Sequence, residues 1–218
     1  MTLKKYMVSL LIFFAYTTIS CSETKIACIG DSITAGFGIK GEKRKTHCYP
    51  SQLQRLLGDS YEVKNFGASG RTLLRDESKA WIKTGHYKKV KDYKPDVVVF
   101  KLGTNDSKMA HWINKDKMEG DLLKFIAEFR EWNPKVKIYL CTPAACFNLK
   151  EGHAGICGLR IRDGIIPVIK KVVKENELFY IDLFTPLSDK SDYFPDRVHP
   201  NESGAEAIAK LVYTALIK

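Results

Sequence analysis

The chain has 218 residues, a length that suits one domain. Its 44% hydrophobic and 28% charged residues are typical of globular proteins and exclude wholesale disorder, a collagen-like repeat and a polytopic membrane protein. Lys and Arg number 35 against 25 Asp and Glu, and this excess of positive charge suits an anionic partner. The basic residues are scattered and form no basic helix or arginine-aromatic stripe, so we expect no nucleic-acid partner.

Residues 1–20 have the pattern of a secretory signal peptide. Lys4 and Lys5 form a positive start, and residues 7–19 are an apolar stretch too short to span a bilayer comfortably. Cys21 follows at once and resembles the lipobox cysteine of bacterial lipoproteins, although Thr18 replaces the usual leucine. We therefore expect an exported protein, in the cell envelope or secreted, with Cys21 as a candidate lipid anchor to the membrane. Residues 21–218 then form one domain.

Short apolar runs rich in Val, Ile, Tyr and Phe predict five β-strands, at residues 25–30, 61–66, 96–102, 136–141 and 178–183. Apolar residues at three- and four-residue spacing predict four helices, at residues 49–57, 116–132, 160–175 and 202–217. Asn201 is a suitable N-cap for the last helix. Strands that alternate with helices favour an α/β fold with a parallel sheet covered on both faces, because each parallel connection needs a crossover.

Polar motifs follow the first three predicted strands, at the sheet edge where open α/β folds bind ligands. A further polar loop precedes the last helix. Taken singly, each motif is typical of a turn or a helix cap. The four motifs are residues 30–32 (GDS), 65–70 (NFGASG), 103–106 (GTND) and 196–199 (DRVH).

Taken together, these motifs contain the parts of an acyl-transfer site. A serine hydroxyl such as that of Ser32 needs a base to remove its proton, and His199 can supply it. Asp196 lies three residues before His199, so its carboxylate can hold the histidine in the required tautomer. The Ser32 and Gly67 amides and the Asn105 side chain are candidate donors to the oxyanion that develops during the reaction.

This ordered set of motifs resembles the SGNH, or GDSL, hydrolase superfamily. The resemblance runs from about residue 25 to the C-terminus. It implies a three-layer α/β/α sandwich like that of flavodoxin, built on a five-stranded parallel sheet. It also implies a catalytic triad of Ser32, Asp196 and His199, an oxyanion hole of Ser32, Gly67 and Asn105, and hydrolysis of esters or thioesters through an acyl-enzyme. No metal or organic cofactor is implied.

The substrate is less sharply defined by the sequence. Members of this family that are exported and of similar size resemble carbohydrate O-acetylesterases, including sialate O-acetylesterases, and the basic surface favours an acidic sugar. A thioesterase or lysophospholipase is the alternative, although no long apolar lid favours a lipid substrate. A non-catalytic glycan-binding protein on the same fold is a second alternative. The candidate substrate-binding residues are Asp31, Arg71 and Trp112, and the oligomeric state is left open.

The cysteines leave alternatives open. If Cys21 carries lipid, five cysteines remain, and at least one of them is not in an internal disulfide. Cys28 and Cys141 lie in apolar strands and are expected to be buried. Cys146 and Cys157 flank a glycine-containing loop, so a disulfide between them and two free thiols are both compatible with the sequence.

Two other patterns are rejected as cofactor sites. Residues 36–41 (GFGIKG) match GxGxxG, but they begin six residues after the predicted strand and lead into a polar run at 42–46 rather than a helix. The histidines show no metal-ligand spacing. Trp81 and Trp112 fit either the core or a substrate platform.

Overall fold

The computed structural model describes residues 23–150 and 152–218. The predicted signal peptide and Cys21 lie outside these described residues. Within them, no helix combines the length and the apolar character needed to cross a membrane.

Five parallel strands form one sheet in the order β2-β1-β3-β4-β5. This is the flavodoxin-like order, in which the chain reverses direction across the sheet between β1 and β3. Gly30 at the end of β1 pairs with Gly67 on one side and Lys101 on the other, so the first three strands end at one level. The strands are β1 Thr24–Gly30, β2 Tyr61–Gly67, β3 Val97–Lys101, β4 Lys137–Cys141 and β5 Phe179–Ile181.

Helices cover both faces of the sheet, which confirms the predicted α/β/α architecture. Because side chains alternate along a strand, Ala27 and Ile29 pack toward α3, α5 and α7, while Ile26 and Cys28 pack toward α2 and α8. A π-helical turn, Ile161–Ile165, joins α6 to α7. The helices are α1 Lys43–His47, α2 Tyr49–Leu57, α3 Gly85–Tyr93, α4 Met109–Trp112, α5 Met118–Trp132, α6 Gly158–Arg160, α7 Ile166–Glu175 and α8 Glu202–Leu216.

The predicted elements are present, and three short helices were missed. The Asn201 side chain caps α8 by accepting a hydrogen bond from the Gly204 amide at 2.9 Å, as predicted. The missed helices α1, α3 and α4 bury almost nothing, since Val90 of α3 is their one fully buried residue. Their apolar periodicity is therefore too weak to detect. The polar run at 42–46, predicted not to be helical, lies largely in α1.

Candidate active site

Ser32 lies in a tight turn that begins where β1 ends. The Ile33 amide donates to the Asp31 carboxylate at 3.0 Å, and the Ala35 amide donates to the Asp31 carbonyl at 3.0 Å. Gly30 has to lack a side chain, because a Cβ there would lie 2.0 Å from Thr34 Oγ1. We call residues 30–35 the nucleophile turn.

The structure brings Ser32, His199 and Asp196 into one hydrogen-bonded chain. Ser32 Oγ lies 2.9 Å from His199 Nε2, although 167 residues separate them in sequence. His199 Nδ1 lies 2.6 Å from Asp196 Oδ2. The other carboxylate oxygen of Asp196 accepts the backbone amides of Val198 and His199, at 2.9 and 2.6 Å. The carboxylate thus fixes both the ring and the backbone of the histidine.

The environment of Asp196 keeps its carboxyl group ionised. Partial burial acts to raise its pKa, but hydrogen bonds from the His199 amide and ring and from the Val198 amide outweigh burial, so the pKa lies below its usual value. A carboxylate in this state can stabilise an imidazolium at neutral pH. Asp182, the nearest alternative partner by type, accepts the amides of Phe184 and Thr185 at 2.9 Å and orders the turn after β5 instead.

The loop that carries the histidine rests on the glycine-rich segment 36–41. We call residues 194–200 the histidine loop. Gly38 has φ +104°, and a Cβ on it would lie 2.5 Å from the Pro200 carbonyl oxygen and 3.1 Å from His199 Cβ. The Phe37 ring lies 4.5 Å from the His199 ring, centroid to centroid. Gly38 of the GxGxxG pattern therefore allows close packing against the histidine loop, a role that sequence reasoning missed.

Two of the predicted oxyanion donors are available. The Ser32 amide has no acceptor among the described residues. Asn105 is 2% exposed, and its Nδ2 donates one hydrogen bond to the Arg71 carbonyl at 3.0 Å, which leaves a second N–H free.

The structure contradicts the prediction for Gly67. Its amide already donates to Asn65 Oδ1 at 2.8 Å, and its Cα packs so closely that a Cβ would lie 2.3 Å from the Ala35 amide nitrogen. Gly70, at φ +75°, faces open space, and its amide has no partner in the part of the chain that the structure describes. Gly70 directly precedes Arg71, whose carbonyl holds Asn105. Gly70 is thus the better placed backbone donor of the NFGASG motif.

Asp31 does not contact substrate as predicted, because it is fully buried. Its carboxylate oxygens lie 2.8 and 3.0 Å from Lys101 Nζ, and Lys101 is also fully buried. Lys101 Nζ also lies 3.3 Å from Thr104 Oγ1. Through Asp31, this ion pair joins the nucleophile turn to Lys101 at the end of β3.

The other two candidate substrate-binding residues, Arg71 and Trp112, lie in different parts of the structure from each other. Arg71 is half-buried beside Asn105, and its Nε is buried without a hydrogen-bond partner. Trp112 lies against the π-helical turn, where a Cβ at Gly164 would be 2.2 Å from its ring. It lines cavities of about 400 and 270 Å³, and neither cavity is lined by a residue of the Ser–His–Asp chain. Trp81 is fully buried in the core and donates its Nε1 hydrogen to the Phe66 carbonyl.

Asp106, the last residue of the GTND motif, organises the loop after β2. Its two carboxylate oxygens accept the amides of Leu73 and Leu74, each at 2.9 Å. Complete burial raises its pKa to about 6, although these hydrogen bonds act in the opposite direction. Sequence reasoning treated the Asn-Asp pair as a cap or an oxyanion motif and did not foresee this role.

The cysteines of the described residues are free and buried, so Cys146 and Cys157 form no disulfide in this structure. Burial raises the pKa of Cys146 to about 11 and that of Cys141 to about 12, which makes them poor thiolate nucleophiles at neutral pH. Residues 23–150 and 152–218 contain no cluster of three or more His, Cys, Asp or Glu side chains arranged to hold a metal ion.

A flavodoxin-like sheet with these motif residues gathered at the switch between β1 and β3 is the SGNH hydrolase fold. The profile of the GDSL-like lipase/acylhydrolase family matches residues 28–207. The chain belongs to this family, whose members act on ester bonds.

Two curated relatives of the chain are esterases. It is 39% identical over 210 residues to an acetylxylan esterase from Xylanibacter ruminicola, an alignment that covers 88% of this chain and 43% of that protein. It is 25% identical over 215 residues to a multidomain esterase from Ruminococcus flavefaciens, covering 85% of this chain and 27% of the relative. The chain therefore spans less than half the length of these curated relatives.

Solved structures share the fold. A carbohydrate acetylesterase family member from Sinorhizobium meliloti superposes with a TM-score of 0.70 and is 19% identical, covering 88% of this chain and 97% of that one. At this identity the likeness supports the fold alone.

Proposed function

We propose that the protein is a serine esterase that removes small acyl groups, acetyl above all, from carbohydrates. The observation that carries the proposal is the hydrogen-bonded chain from Ser32 Oγ through His199 to Asp196. The acetylxylan esterase relative, at 39% identity, supports an acetylated sugar as the substrate class.

In the proposed reaction, His199 Nε2 takes the Ser32 proton as Oγ attacks the ester carbonyl. The Ser32 and Gly70 amides and the Asn105 Nδ2 group donate hydrogen bonds to the oxygen that becomes negative. The imidazolium, stabilised by Asp196, then gives its proton to the sugar oxygen as its bond to the carbonyl carbon breaks, so the sugar alcohol departs and an acetyl group remains on Ser32.

The second half of the reaction repeats these steps with water. His199 removes a proton from water, the resulting hydroxide attacks the acyl-enzyme, and the imidazolium returns its proton to Ser32 Oγ as acetate leaves. The same donors stabilise the second oxyanion. The balance is one ester and one water converted to one alcohol and one acid.

The length of the acyl group separates this proposal from the thioesterase or lysophospholipase alternative. A long acyl chain needs an apolar channel that begins at the nucleophile, whereas an acetyl group does not. The acetylxylan esterase relative favours an acetylesterase.

A hydrolysis screen tests the proposal. The substrates are acetylated xylo-oligosaccharides, aryl esters from acetyl to octanoyl, and the corresponding acyl thioesters. We expect the highest kcat/KM for acetyl esters and a fall as the acyl chain lengthens. A preference for octanoyl esters or for thioesters would overturn the assignment.

Ser32→Ala is the matched control for this screen. Ser32 is only 5% exposed and its hydroxyl packs little, so we expect the fold to persist while turnover falls by roughly 10⁴-fold or more. Thermal unfolding of the same preparation verifies the fold. A folded and fully active Ser32→Ala protein would falsify the nucleophile assignment, and full binding of glycans without turnover in the native protein would favour the glycan-binding alternative.

Export with a lipid on Cys21 remains part of the proposal, supported by the pattern of residues 1–21. Expression of the full chain in a bacterium supplied with labelled palmitate tests it. Label that disappears in Cys21→Ser supports the anchor, and a processed but unlabelled protein supports secretion without one.

A further inference from the structure

Phe37 and Arg44 form an exposed edge beside the histidine of the triad. The Phe37 ring is 44% exposed, and its centroid lies 4.5 Å from that of His199 at an interplanar angle of 58°. The Arg44 guanidinium carbon lies 5.6 Å from the centroid of the Phe37 ring. An aromatic face and a cation thus adjoin the catalytic base on the solvent side.

Arg44 lies between Lys43 and Lys45, and it is the one of these three residues whose charge is not paired. Lys43 Nζ lies 3.0 Å from a Glu202 carboxylate oxygen, and Lys45 Nζ lies 2.8 Å from Glu42. Arg44 has no ion pair among the residues that the structure describes, and its one side-chain hydrogen bond runs from Nε to the Ile39 carbonyl at 3.3 Å. The two terminal nitrogens of the guanidinium therefore remain free for a ligand.

The chemistry of ester hydrolysis says which part of the substrate meets this edge. The histidine of a triad protonates the leaving alcohol, so groups that lie beside it on the solvent side face the alcohol half of the ester. The oxyanion donors near Arg71 and Asn105 face the carbonyl instead. Phe37 and Arg44 are thus placed to contact the sugar rather than the acetyl group.

We propose that Phe37 and Arg44 form a subsite for a sugar that bears a carboxylate, as a uronic acid does. The inference rests on the proposed carbohydrate esterase function and names its substrate class. An aromatic face packs against the apolar face of a sugar ring, and a guanidinium fork matches the geometry of a carboxylate. The Asp196 carboxylate is held by His199 and two backbone amides, and among the described residues it forms no ion pair with Arg44.

Two matched substrates test the proposal: methyl di-O-acetylglucoside and methyl di-O-acetylglucuronoside, which differ only in a carboxylate that replaces the CH₂OH group. The quantity measured is the ratio of kcat/KM for the glucuronoside to that for the glucoside. An exposed ionic contact predicts a ratio of about two to five in the native protein. The ratio should shrink toward one as ionic strength rises from about 0.02 M to about 0.5 M.

Variants separate the contribution of Arg44 from that of its neighbours. Arg44→Gln should bring the ratio to about one, and Arg44→Lys, which keeps the charge, should leave it above one. Phe37→Leu should lower kcat/KM for both sugars and keep the ratio. Lys43→Gln is the matched control, because Lys43 is paired with Glu202, and it should not change the ratio. Melting temperatures establish that each variant is folded.

The failures are distinguishable. The subsite is overturned by a ratio of one or less in the native protein, or by a ratio that Arg44→Gln leaves unchanged. Neither result affects the proposed esterase function. Hydrolysis of aryl acetate without hydrolysis of either sugar overturns the carbohydrate function, and the subsite falls with it. No hydrolysis of any ester overturns the proposed function itself.

Discussion

The nucleophile turn and the histidine loop hold the groups of the proposed active site in different ways. The nucleophile turn is buried and depends on distant strands, since Asp31 is paired with Lys101 seventy residues later and both side chains are inaccessible to solvent. The histidine loop is organised by its own residues, because Asp196 binds the ring and amide of His199 three positions on, and its side chain is 51% exposed. Loss of the buried Asp31–Lys101 pair should therefore lower stability, whereas loss of the Asp196 carboxylate should lower activity.

After the loss of Ser32 itself, the largest expected loss of activity comes from Asp196→Asn, which alters the histidine loop without unfolding the protein. In Asp196→Asn the side-chain oxygen still accepts the Val198 and His199 amides, but an NH₂ group faces His199 Nδ1. That nitrogen must then act as acceptor, so the proton lies on Nε2 and the ring cannot take the Ser32 proton. We expect kcat/KM for an aryl acetate to fall by about 10³ to 10⁴, with a small change in melting temperature.

If Asp196→Asn retained most of its activity, another carboxylate would have to orient the histidine. Asp182→Asn measured in parallel addresses that alternative. Because Asp182 accepts the Phe184 and Thr185 amides, we expect its replacement to lower stability more than activity.

The next prediction concerns the ion pair that supports the nucleophile turn. Lys101→Met leaves the Asp31 carboxylate buried without its partner, which should lower the free energy of unfolding by about 3 to 5 kcal/mol. Adding Asp31→Asn removes the unpaired charge and keeps an oxygen for the Ile33 amide, so the double variant should recover much of this loss. Denaturant unfolding measures all three proteins.

Lys171→Met provides the control for the buried pair. Lys171 Nζ lies 2.8 Å from Glu119, but the two side chains are 51% and 37% exposed. An exposed pair contributes about 1 kcal/mol or less. Equal losses in Lys101→Met and Lys171→Met would show that burial of the ion pair is unimportant and would remove the contrast between turn and loop.

These two regions also differ in how far the sequence predicts them. The order of strands and helices followed from apolar periodicity. The set of Ser32, Asp196 and His199 followed from the residue types of the four motifs and from their resemblance to the SGNH hydrolases. The partner of Asp31 did not, because Lys101 lies within an otherwise apolar strand and only the sheet register brings the two together. The Gly67 amide was likewise predicted to donate to the oxyanion. The sequence does not show that this amide donates to Asn65 instead, because that hydrogen bond depends on local backbone geometry.

Asn105 belongs to neither region, and its side chain supports the loop after β2 by donating to the Arg71 carbonyl. Asn105→Ala removes a donor to the oxyanion and should lower kcat by about 10² to 10³ with a much smaller change in KM. It also removes the hydrogen bond to the Arg71 carbonyl, so we expect a loss of about 1 kcal/mol in stability. Measuring kcat and melting temperature on one preparation separates these effects. A stability loss with full kcat would restrict Asn105 to supporting the loop.

The smallest expected effect is on the pH dependence of stability, and it comes from the buried carboxyl group of Asp106. Its pKa of about 6 in the folded protein exceeds the value near 4 of an unfolded chain, so the native state binds the proton more tightly. This group therefore adds stability as pH falls from about 6 to about 4, and ionisation removes that stability as pH rises. The difference amounts to between about 1 and 3 kcal/mol.

Comparison with Asp106→Asn isolates this contribution. Asn cannot titrate, so the stability of the native protein relative to the variant should rise as pH falls from 7 to 4.5. Asp196, whose lowered pKa gives the opposite trend because its stabilising charge is lost in acid, is present in both proteins and cancels. A stability difference that stays constant with pH would mean that the buried Asp106 is ionised throughout, held by the Leu73 and Leu74 amides against the cost of its burial.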